Sequence, residues 1–284
     1  MDDSKFLITG GNGQLGLALQ AQYPNAKATD SADLDITDTE ALNNYDWSNV
    51  STIINAAAYT NVDGAETPEG EALAWKVNDE AVGNLARIAN DKDLVLAHIS
   101  TDYVFDGTKS PHKEDEPFSP LSIYGKTKAA GDQKAAAARK HYILRASWII
   151  GDGKNFVRTM LELGRKGIDP TVVADQIGRP TFTNELVKAI NHLLKNQAAF
   201  GVYNISNGGD PVSWADLTRQ IFKDTGLDNS VTDTTTEEYY KDKPQAARRP
   251  LNSTFDLSKI EATGFSPRDW RADLADYVKQ ETKK

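Results

Sequence analysis

The sequence predicts an α/β protein built on a Rossmann-type doubly wound parallel sheet, with a smaller mixed α/β substrate lobe. Three observations carry this. Short apolar runs at 6–9, 52–58, 94–100 and 141–150 alternate with helical stretches through the first half, the order that builds parallel βαβ units. The runs are nearly continuous rather than alternating, as strands covered by helices on both faces require. The first run leads directly into Thr9-Gly10-Gly11-Asn12-Gly13-Gln14-Leu15-Gly16, a glycine-rich loop that opens a helix, which is the setting a dinucleotide-binding turn needs.

The elements follow in order. A second strand is expected at 26–29, and Thr67 followed by Pro68 offers a cap and a first-turn proline for a long helix to about residue 90. Past residue 151 the rhythm is less regular: a helix near 155–166, a strand at 171–174, a helix at 184–194 and a strand at 202–205. Ser213 caps a further helix to 224, with Asp216 at its third position, and the polar stretch 228–245 reads as loop. This divides the chain into a dinucleotide-binding domain, 1–151, and a mainly substrate-binding lobe, 152–284. Segments at about 175–196 are expected to return to the first domain.

Composition limits the function. At 284 residues the chain has room for a large core, and with 26% charged and 39% hydrophobic residues it matches ordinary globular domains. A formal net charge of −9 disfavours nucleic acid and anionic membranes as partners. The absence of cysteine excludes thiolate metal sites and a cysteine nucleophile, so redox chemistry would need a cofactor. No signal peptide is visible and no apolar stretch approaches the roughly 18 residues that span a bilayer, so a cytoplasmic protein is expected.

Glycines in the loop permit positive φ and close approach of backbone amides to a pyrophosphate at the positive end of the helix. Two spacings fit: Gly11, Gly13 and Gly16 satisfy G-x-G-x-x-G, while Gly10, Gly13 and Gly16 satisfy G-x-x-G-x-x-G. The pattern does not choose between them. Asp30, at the end of the expected second strand, can accept from ribose hydroxyls and would repel a 2′-phosphate, which favours NADH over NADPH. Lys27 nearby weighs the other way, and Asp30 also reads as a turn residue.

Tyr124 and Lys128 stand at i and i+4, neighbours on one helix face. The spacing occurs three times, but Tyr23/Lys27 is broken by Pro24 and Tyr239/Lys243 falls in the polar stretch, so position beside the sheet selects Tyr124. A phenol that titrates near pH 10 needs a positive charge beside it to become a useful acid-base group, and Lys128 supplies one. A carbonyl reduction would use hydride from the cofactor and a proton from Tyr124. The strand ending at Ser100-Thr101 offers a hydroxyl at the same edge, though a polar strand end alone would explain it.

These residues, with Asn55-Ala56-Ala57-Ala58-Tyr59-Thr60 and Ser100-Thr101-Asp102-Tyr103-Val104-Phe105-Asp106-Gly107, resemble the extended short-chain dehydrogenase/reductase family from about residue 6 into the final helix. The resemblance implies a catalytic group of Thr101, Tyr124 and Lys128, reducing the C4 ketone of dTDP-4-dehydro-L-rhamnose to dTDP-L-rhamnose. It implies that Gly13, Gln14 and Leu15 approach the cofactor phosphates, that Asp35 and Ile36 flank adenine, and that Ala56, Ala57 and Ala58 line the groove for NADH or NADPH; Gly10 and Gly16 of the loop, and Tyr59, are counted with the cofactor-binding residues. Asp102, Tyr103 and Trp148 would face the sugar, and Arg249 or Arg248 would hold the diphosphate. Trp148 reads equally as core, and paired arginines are commonly just solvated. Some relatives are said to use magnesium at a dimer contact, but no metal ligands are assigned, and monomer or homodimer are both expected. The rival functions are another nucleotide-sugar ketoreductase or epimerase, and a non-catalytic regulatory subunit that resembles these reductases.

Overall fold

Apolar runs too continuous for a half-exposed sheet form the strands of the computed structural model, which describes residues 1–282. In chain order the main elements are β1 (Phe6–Thr9), α1 (Gln14–Gln22), β2 (Lys27–Thr29), α2 (Thr39–Asn44), β3 (Thr52–Asn55), α3 (Pro68–Trp75), α4 (Ala81–Asp91), β4 (Val95–Thr101), α5 (Ile123–Ala135) and β5 (His141–Ala146). They continue with α6 (Phe156–Arg165), α7 (Thr183–Lys195), β6 (Gly201–Ile205), α8 (Trp214–Thr225), α9 (Thr236–Tyr240), α10 (Ser258–Glu261) and α11 (Trp270–Glu281). The six strands pair in parallel in the order β6-β5-β4-β3-β1-β2. The order reverses between β1 and β3, so the loops leaving those two strands diverge and leave a crevice at their carboxyl ends.

Both sheet faces are covered. Ile8, Ile54 and Leu144 pack under Leu19 of α1 and Leu186 and Ile190 of α7 on one side. On the other, Leu7, Ile53 and Leu96 pack under Val82, Leu85 and Ile88 of α4. A third core of Val157, Leu161, Leu217, Ile221, Trp270 and Leu274 joins α6, α8 and α11 into the second lobe. Thus α7 and β6 lie with the first sheet although they follow the first elements of the second lobe. No helix among the described residues is long and apolar enough to cross a membrane.

The long helix runs from Pro68 to Asp91, with a π-helical turn at Lys76–Glu80 between α3 and α4. Three expectations need correction. The run 52–58 ends as a strand at Asn55, with Ala56 N donating the last rung to Thr9 O at 3.1 Å. The run 141–150 is split because Trp148 takes φ +48, a left-handed conformation that no strand tolerates. The stretch 228–245 is not all loop: Thr232–Thr234 pairs with Thr171–Val173, and α9 follows, capped by Thr235 through Glu238 N at 3.2 Å. That capping pair was visible in the sequence as Thr-x-x-Glu.

Candidate active site

The glycine loop wraps the switch point of the sheet. Gly10 sits at φ +72, and a Cβ there would lie 2.6 Å from Ala57 N, so the loop after β1 and the loop after β3 touch backbone to backbone. A Cβ on Gly16 would lie 2.1 Å from Gly10 O. Gly13, the N-cap of α1, brings no capping side chain, which leaves the first amides and the positive end of α1 available to an anion. These features fit a pyrophosphate cradle. The loop opens on a cleft of about 680 Å³ lined along its length by Gly10, Gly13, Gln14, Leu15, Asp30, Asp35, Ile36 and Ala56 to Tyr59. Gly16 lies beneath the loop and does not line the cleft.

Several of these side chains carry a second task. The Asp30 carboxylate accepts from Asn12 N at 3.1 Å and Ser31 N at 2.7 Å, so it braces the glycine loop, and its remaining lone pairs are free for a ribose hydroxyl. Gln14 accepts from Gly151 N at 2.9 Å, tying the loop to the start of the second lobe. Lys27 lies over the Tyr45 ring at 4.7 Å.

At the far end of the cleft the structure brings Thr101, Asp102, Tyr103, Tyr124, Lys128 and Trp148 together. α5, capped by Ser122 through Gly125 N at 3.1 Å, presents Tyr124 and Lys128 to the carboxyl end of β4. The Tyr103 and Tyr124 rings meet edge to face at 5.5 Å. Burial pushes the Tyr124 phenol up, with Thr101 hydrogen-bonding against the shift and the Asp102 and Asp132 charges adding to it. Lys128 beside it is 2% exposed, donates to Ile99 O at 2.7 Å, and is itself pushed down to about 8 by burial. The phenol is therefore held as the acid. Asp102 accepts from Thr101 at 3.0 Å and from Ser253, and burial pushes it up to about 6.

Trp148 is a lining residue with strained backbone, stacked on Trp214 at 3.6 Å between ring centroids. Trp214 lines the cleft too, and nothing in the sequence marked it. Arg249 is held at the side of Tyr103, close enough for each charge to act on the other: both Asp63 oxygens accept from it at 2.8 Å, and it lies over Tyr240 at 4.5 Å. The pair Tyr239/Lys243 is a cation–π contact at 4.0 Å, away from the lining. Sequence reasoning also missed Asn78, in the π-helical turn, whose amide joins Tyr59 N, Tyr59 O and Thr127 Oγ1 at 2.9–3.1 Å. A π-turn at a functional site was the one general hint, and it is invisible before folding. No cluster of three or more His, Asp or Glu side chains among the described residues is placed to hold a metal ion.

Fold and cleft together define a class: a Rossmann-type oxidoreductase whose tyrosine and lysine stand one helical turn apart beside a dinucleotide groove. Within that class, the chain belongs to the RmlD substrate binding domain family, which matches residues 4–283. It is 39% identical over 293 residues to the dTDP-4-dehydrorhamnose reductase of Aggregatibacter actinomycetemcomitans, covering 95% of this chain and 97% of that one. It is 35% identical to the spore coat polysaccharide biosynthesis protein SpsK of Bacillus subtilis, over 98% of both. The crystal structure of a Clostridium acetobutylicum dTDP-4-dehydrorhamnose reductase superposes with a TM-score of 0.90 at 39% identity, over 98% of this chain and 99% of that one. The Bacillus anthracis dTDP-4-dehydrorhamnose reductase, solved with NADP, gives 0.89 at 34% identity over 97% and 98%.

Proposed function

We propose that this chain reduces the C4 ketone of dTDP-4-dehydro-L-rhamnose to dTDP-L-rhamnose with NAD(P)H. The observation that carries the reading is one continuous cleft with the glycine cradle at one end and Thr101, Tyr124 and Lys128 at the other. The full-length similarity to reductases of that name supports the substrate. Bound along Gly10 to Leu15 and Ala56 to Tyr59, the nicotinamide cofactor supplies the hydride.

The chain's own residues do the rest. Thr101 Oγ1 and Tyr124 Oη hold the ketone oxygen, and Tyr124 gives up its proton as negative charge develops there. Burial, by holding the phenol protonated, readies it for this step. The Lys128 ammonium stabilises the resulting phenolate until solvent returns the proton, and it also holds the nicotinamide ribose. Asp102, Tyr103 and Trp148 orient the sugar, and the lobe beyond residue 151 closes over it. Asp30 favours NADH by charge, whereas the Bacillus anthracis relative was solved with NADP.

A coupled assay with dTDP-4-dehydrorhamnose and either cofactor tests substrate and cofactor together. Oxidation of the cofactor with dTDP-L-rhamnose as product is expected. Tyr124→Phe should lower kcat by about 10²- to 10⁴-fold while cofactor affinity survives. Silence with this substrate alongside turnover of another 4-keto nucleotide sugar would transfer the assignment to that sugar.

A further inference from the structure

One turn beyond Lys128, on the same face of α5, stands Asp132. Its Oδ2 accepts from Arg145 Nε at 2.9 Å, and the two side chains are only 1% and 3% exposed. Arg145 is held from several directions: Nη1 donates to Glu114 O at 3.0 Å, and the guanidinium lies over the Phe105 and Phe118 rings at 5.2 and 5.0 Å. On β5 it pairs in register with Ser100, the residue before Thr101. The ion pair therefore pins the helix that carries Tyr124 and Lys128 to the strands that carry Thr101.

A buried ion pair gains little over apolar side chains of the same size, since both charges lose their water. Stability alone gives no reason for one here. A buried lysine gives another, because an ammonium out of water sheds its proton unless a negative charge is near. The titratable and charged groups around Lys128 are Tyr124 and Asp132 from α5, His98 from β4 and, behind Asp132, Arg145 from β5. His98 brings no charge: burial and Lys128 hold it well below its ordinary range, and its Nδ1 meets the Asn55 amide at 3.0 Å. Asp79, on the π-helical turn packed against α5, has Lys134 beside it. Asp132 is thus the carboxylate that acts on Lys128, and burial is what it opposes. Burial pushes the Asp132 carboxyl up, and Arg145, which does not deprotonate, works against that rise and favours the carboxylate.

We propose that Asp132, fixed by Arg145, is a positioning residue that keeps Lys128 charged and aimed at Tyr124 and the nicotinamide ribose. The proposal rests on the reductase reading above. Its test has one arm that needs no turnover. In the protein without cofactor, labelled with ¹³C-lysine, the Lys128 signal is assigned by its loss in Lys128→Met and titrated by NMR. Its midpoint should fall by about one unit in Asp132→Asn and return in Asp132→Glu. Should Asp132→Asn leave Arg145 too costly to bury, Asp132→Asn with Arg145→Met removes both charges and should show the same fall. In parallel, the alkaline limb of kcat/KM for reduction should move to lower pH. An unmoved Lys128 midpoint in both variants overturns the proposal, as does a moved midpoint with an unmoved alkaline limb. An inactive wild-type chain with a moving midpoint would overturn the reductase reading instead.

Discussion

Replacing Gly16 by alanine sets two effects of opposite sign against each other. Gly16 lies in the first turn of α1, where intrinsic propensity alone predicts that alanine gains up to about 1 kcal/mol. The contact geometry predicts a loss. The new methyl would stand 2.1 Å from Gly10 O and 2.6 Å from Gly11 O, and both obstacles are backbone, so no side chain can swing aside. Restoring ordinary contact to Gly10 O needs a shift of about 1.2 Å between α1 and the loop, and overpacking on that scale costs about 1–3 kcal/mol. The second effect wins. A cradle opened by about 1 Å also misplaces the amides that would hold the pyrophosphate, a displacement that can cost about 10²-fold. Urea denaturation and fluorescence titration with NADH and NADPH read the two consequences separately. A Gly16→Ala protein as stable as wild type, with unchanged cofactor affinity, would refute the close-packing argument.

Two further outcomes follow from buried polar groups. Asn78→Ala removes the three hydrogen bonds that join the groove wall at Tyr59 to Thr127 on α5. About 3 kcal/mol of stability should go with them, and cofactor affinity should drop at least about tenfold; a variant that loses neither in denaturation and binding experiments contradicts the bracing role. Asp102 holds its proton up to about 6 in the folded chain against an ordinary 3.8. The folded state therefore binds more protons than the unfolded one between those values, and stability falls as pH rises through them, by up to about 3 kcal/mol. Asp102→Asn lacks this penalty, so its melting temperature should gain on wild type between pH 4 and pH 7, and parallel curves across that range would exclude it.

What could be read in the sequence is what depends on neighbours along the chain. The parallel strands declared themselves as unbroken apolar runs, the glycine loop by its place after β1, and Tyr124 with Lys128 by one helical turn. What escaped depends on partners brought from afar. Arg249 meets Asp63 across 186 positions, Asn78 meets Thr127 across 49, and no local pattern marks either. The break at Trp148 escaped for another reason: residues 141–150 carry strand-forming side chains throughout, and only packing against Trp214 shows that the backbone turns over there. Asp30 lay between the two cases, since its turn role and its reach toward a ribose use different lone pairs of one carboxylate.

The return of the chain to the sheet after its first excursion has a consequence for engineering. β6 hydrogen-bonds to β5, and Leu186 and Ile190 of α7 fill the core under β1 and β3, so the two lobes are interleaved rather than joined end to end. A cut near residue 151 would strip one edge strand and a covering helix from the nucleotide-binding half and leave apolar surface in water. Exchange of sugar specificity between relatives therefore has to proceed by replacing loops and insertions around a retained α7 and β6. A simple fusion of one protein's front half to another's back half would ask two unrelated surfaces to form a single core.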